Sequence, residues 1–106
     1  IYLDGLFQRM GLAEDMKAKA VLVNGGLVAE KLISGEADVA IHQISEILAV
    51  SEAELVGPLP ASIQNYTRYA GAIGKASGHA ALGLEFLAAF SSPLATQMMK
   101  SKGLER

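Results

Sequence analysis

The chain has no cysteine and no tryptophan, only three prolines, and aromatic side chains make up 6% of its 106 residues. Without cysteine there is no disulfide, no thiolate zinc site and no cysteine nucleophile. The compartment stays open, since a cysteine-free domain suits the cytoplasm and equally a periplasm in which no staple is needed. No uninterrupted apolar run approaches the roughly 18–20 residues that a membrane span requires, and no signal-peptide pattern is visible. Positive charge is scarce too: nine Lys and Arg against eleven Asp and Glu give a formal charge of −2. Such a chain has no basic field to displace counterions from phosphates, which disfavours non-specific nucleic-acid binding.

What is present reads as globular. Hydrophobic residues make up 51% and charged residues 19%, the balance of a chain that buries a core rather than staying disordered. The length fits one domain or a piece of one. The chain starts at Ile1 without a methionine, already inside an amphipathic pattern, which suggests a fragment.

Leu3, Leu6, Phe7 and Met10 fall at helical spacing, so residues 1–10 read as an amphipathic helix stopped by Gly11. Ala20–Val23 is a short β-prone run, and Asn24-Gly25-Gly26 turns the chain. A second helix spans Leu27–Ser34 and closes at Gly35. Val39-Ala40-Ile41 reads as a strand apolar on both faces, and Ile44–Val50 as a short helix. Glu54–Pro60 predicts a third strand ended by prolines, and Tyr66–Ile73 a fourth. A long helix starts at Ser77-Gly78 and runs through Phe90. Ser92 as N-cap with Pro93 at the first helical position opens another, which Gly103 stops. Strands separated by helices imply an α/β fold with a mainly parallel sheet flanked by helices.

Catalytic motifs are missing. There is no G-x-S-x-G elbow, H-E-x-x-H run, phosphate-binding loop or G-x-G-x-x-G. His79 lies in a polar helix-start segment, where a solvated histidine is the ordinary reading. Glu36 and Asp38 flank a tight turn and read as solubilising charges. Met98-Met99 reads as gap-filling core. Neither an enzyme nor a cofactor site is expected.

His42 stands apart. It ends the apolar run 39–41 and precedes Gln43, Ile44, Ser45 and Glu46 at a predicted helix start. Free N–H groups there carry a partial positive field that attracts anions without Arg or Lys. Gln43 and Ser45 add neutral donors. The alternative is that His42 and Ser45 act only as cap and turn residues. Tyr66 and Tyr69, three apart on a predicted strand, face opposite sides, so at most one lines a given cleft.

Four blocks carry a resemblance over essentially the whole chain. They are Ile1-Tyr2 with Leu6-Phe7 and Gly11; Leu32 to Glu46 with its Gly35-Glu36-Ala37-Asp38; Val56-Gly57-Pro58-Leu59-Pro60 through Tyr69; and Phe86-Leu87 with Ser91-Ser92-Pro93 and Gly103. Together they resemble the second half of a periplasmic solute-binding protein of ABC transporters, of the molybdate-binding type. The resemblance implies one lobe of a bilobal type II periplasmic-binding-protein fold. It would make residues 1–106 a single α/β domain, with the second lobe at 1–60, a hinge region at 60–70, and a returning strand and C-terminal helices at 70–106. Carried over by position, it makes His42 and Tyr69 ligand contacts, beside Gln43 and Ser45. The family usually has an apolar residue where His42 stands.

The implied function is the substrate-binding component of an ABC importer, periplasmic, holding a molybdate-like oxyanion or small acidic solute. Its partners would be the transporter's membrane subunits, with no nucleic acid and no metal. The alternative is the effector-sensing domain of a cytoplasmic transcriptional regulator with the same fold; an enzyme built on that fold is a third reading. The isolated piece is expected to dimerise to cover apolar surface.

Overall fold

The computed structural model describes residues 2–105. They form two compact units, one ending at Tyr66 and one beginning at Thr67.

In the first unit, helix α1 spans Tyr2–Arg9 and α2 spans Ala13–Lys19. Leu6, 4% exposed, is the side chain that α1 buries, while Gln8 and Arg9 face solvent. Of the expected apolar positions Leu3, Leu6, Phe7 and Met10, Leu3 and Phe7 are half-buried beside Leu6, while Met10 is exposed. Gly11 then takes φ +70°. Its N–H donates to the Gln8 carbonyl and that of Leu12 to the Phe7 carbonyl. This paired arrangement satisfies carbonyls that the helix end would leave open. The chain reverses into α2, which lies against α1. α2 carries Glu14 and Asp15 in its first turn and Lys17 and Lys19 in its last, each sign set against the helix dipole.

Helix α3 is one turn, Glu30–Ile33, shorter than the Leu27–Ser34 expected. Tighter bonds lead into it, from the Glu30 N–H to the Leu27 carbonyl and from Lys31 to Val28. Gly35 at φ +73° ends it with the same paired bonds: Gly35 N–H to the Leu32 carbonyl, Glu36 N–H to the Lys31 carbonyl. Helix α4 is also one turn, Ile44–Ile47. Ala29, ahead of α3, and Val50, after α4, are buried. The Tyr2 hydroxyl donates to the Ile63 carbonyl in a 3-10 turn, Ala61–Ile63, so α1 is tied to the end of this unit.

In the second unit, α5 spans Ala80–Ala89 and α6 spans Pro93–Ser101. Ser92 caps α6 as its spacing predicts: its hydroxyl oxygen accepts from the Ala95 N–H at 3.2 Å, and Pro93 sits where no helical N–H is needed. Gly103 closes α6 with φ +75°, and the Leu104 N–H reaches the Met99 carbonyl. Extended residues 71–73 run along α5, with Leu87 packed over Gly71 and Ile73 over Gly83. Phe86 and Phe90 meet edge to face, centroids 5.3 Å apart.

The expected mainly parallel sheet is not found: no strand occurs among the described residues. The runs 20–23, 39–41, 54–60 and 66–73 take no regular secondary structure. The backbone hydrogen bonds that reach into them are local, from the Ala20 N–H to the Met16 carbonyl and from the Ile63 N–H to the Pro60 carbonyl. β-Branched side chains favour an extended backbone, but a strand exists only when a second segment supplies the ladder. The burial expected of such strands is absent as well. Val39 is 77% exposed, Val56 fully exposed, and Tyr69 69% exposed. Pro58 and Pro60 offer no N–H, and Gly57 at φ +147° breaks the run ahead of them.

Candidate functional site

Three of the four residues singled out from the sequence stay together. His42 ends the irregular stretch after Gly35, Gln43 is the N-cap of α4 in extended conformation, and Ser45 lies in its first turn. His42 and Gln43 are exposed and Ser45 is half-buried. Gln43 caps through its backbone: its carbonyl accepts from the N–H groups of Glu46 and Ile47 at 3.0 and 3.1 Å, with no side-chain cap bond. Tyr69, exposed, belongs to the second unit.

The electrostatic expectation at α4 shrinks. A single turn aligns few peptide dipoles, and Glu46 places a carboxylate in that turn. What remains at His42, Gln43 and Ser45 is a set of polar side chains at a helix start.

The segment delivering His42 is fixed just upstream. The Lys31 ammonium donates to both Glu36 carboxylate oxygens at 2.8 and 3.0 Å, and the Ser34 hydroxyl donates to one of them at 2.9 Å. In the usual form of this helix end, an apolar pair bridges the positions that Lys31 and Glu36 occupy; here an ion pair does so. The Lys31 and Ser34 hydrogen bonds, then the Lys31 charge, hold Glu36 below the usual carboxylate range. The Gly-Glu-Ala-Asp block thus has a local explanation: a left-handed stop, then the acid that locks it.

A hollow of about 470 Å³ opens elsewhere in the first unit. Leu27 and Ile33 from the α3 region and Ala49 and Val50 from beyond α4 give it an apolar lining. Its polar lining is Glu30, Ser34, Ser51 and Glu52. Ser51 donates to Glu52 at 2.8 Å and holds that carboxyl below its ordinary range. Lys31, the cation beside Glu30 in sequence, is engaged by Glu36. Two carboxylates at one opening repel a small anion, so this hollow does not suit the acidic solute expected from the sequence. Sequence reasoning missed it because its walls come from two separate stretches with no motif between them.

Among the described residues no group of three or more His, Asp or Glu gathers to hold a metal ion. No helix of the described residues is long and apolar enough to cross a membrane.

Over residues 1–105 the chain matches the family of bacterial extracellular solute-binding proteins. It is 32% identical over 100 residues to an aconitate isomerase from Pseudomonas sp, covering 94% of this chain and 38% of that protein. No solved structure matches it significantly.

Proposed function

Because this chain belongs to the bacterial extracellular solute-binding protein family, we propose that it acts in the periplasmic substrate-binding component of an ABC importer and helps hold a small anionic solute. The observation that carries this reading is the family match from one end of the chain to the other. The solute is a small carboxylate or a molybdate-like oxyanion, and the isomerase relative favours a polycarboxylate. His42, Gln43 and Ser45 are its candidate contacts on the first unit, Tyr69 is a separate candidate on the second, the solute leaves unchanged, and the membrane subunits of the importer are the partners. Neutral donors can hold such an anion through charge-assisted hydrogen bonds, each worth about 1.5–3 kcal/mol net.

A panel of molybdate, sulfate, phosphate, citrate and aconitate, added to the full-length protein, tests this by thermal shift and calorimetry. A true solute at one hundred times its Kd stabilises the folded state by about 2.7 kcal/mol. A panel in which no compound shifts the midpoint overturns the ligand class.

The relative's name favours a second reading, in which the protein isomerises an unsaturated polycarboxylate instead of carrying it. Proton NMR of aconitate incubated with the full-length protein separates the two. Binding without conversion supports the receptor; conversion between the geometric isomers above the blank supports the isomerase.

A further inference from the structure

We draw no further inference here: the strongest candidate, the apolar stripe along α5 and its C-cap that leaves Leu82, Phe86 and Phe90 at least half exposed, carries nothing because nothing in the structure shows what covers it.

Discussion

Leu87 fills the space that a side chain at position 71 would need, and two residues further along Ile73 closes over Gly83 in the same way. The extended segment and the helix thus exchange a large residue for a glycine in both directions. Leu87 and Gly83 are one helical turn apart, and both are half-buried while most of α5 is exposed. The glycines mark the line along which residues 71–73 and α5 approach.

Gly71→Ala is expected to destabilise the protein by about 1–2 kcal/mol, the usual cost of forcing a neighbour off its rotamer. The penalty should largely vanish in a Leu87→Ala background, where the obstructing atoms are gone. Urea unfolding of both singles and the double measures the coupling. Additive effects would mean that the two positions are not in contact.

Gly83→Ala sets two effects against each other. Replacing glycine by alanine inside a helix gains about 1 kcal/mol. The new Cβ, however, would lie 3.1 Å from Ile73 Cδ1 and 3.2 Å from its Cγ1. The expected net change is within about 0.5 kcal/mol of zero, whereas in an Ile73→Ala background the same substitution stabilises by about 1 kcal/mol. Thermal midpoints of the four proteins check this.

Gly35→Ala isolates the cost of a left-handed backbone. A Cβ there meets nothing within 4 Å, so the whole penalty comes from φ +73°. The expected loss is about 1–2 kcal/mol, with Gly35→Asn costing less because asparagine tolerates this region better. Equal losses for the two substitutions would point to some cause other than the dihedral.

Glu36 makes stability depend on pH in a defined direction. Its carboxyl lies lower in the folded chain than its ordinary value, so the folded state favours the ionised form. The contribution is fully present above the unfolded value, about 4.3. It is lost as pH falls through the folded value. The difference in urea midpoint between the native protein and Glu36→Gln should therefore be largest near pH 6. It should shrink steadily as pH falls below the unfolded value, and shrink in 1 M salt because the pair is exposed. A difference that grows on acidification would reverse the assignment.

In the full-length protein, His42→Ala and Tyr69→Phe are expected to weaken solute binding by about tenfold each, or about 1.4 kcal/mol. Calorimetry with whichever compound the panel identifies reads the effect. Unchanged affinity in both would remove these residues from the site.

The helix ends were legible in the sequence because their causes are local. Gly11, Gly35 and Gly103 each take the positive φ expected of a stop, and Ser92-Pro93 opens α6 where the pair stands. Helix α2 was missed because Ala13–Lys19 has a single large apolar residue, Met16, and so no periodicity; its signal was the order of charges, acids first and lysines last. The sheet was misread for the opposite reason. Val21, Val39 and Val56 report a local preference for extension, while strand pairing depends on a distant partner that no single segment encodes. At the site, the cluster of His42, Gln43 and Ser45 was legible as neighbours in sequence. Glu30 and Glu52, which meet at the hollow from 22 positions apart, were not.

The bond from the Tyr2 hydroxyl to the Ile63 carbonyl closes a loop of 61 positions. Closing a flexible loop of that length costs about 3–4 kcal/mol in chain entropy, while one such bond returns about 1 kcal/mol. The bond cannot hold the ends together; the packing between them must do so first. Tyr2 is therefore a reporter of closure and not its latch. Tyr2→Phe should leave the ends adjacent, and a spectroscopic probe on the ring would register the loosening of everything enclosed.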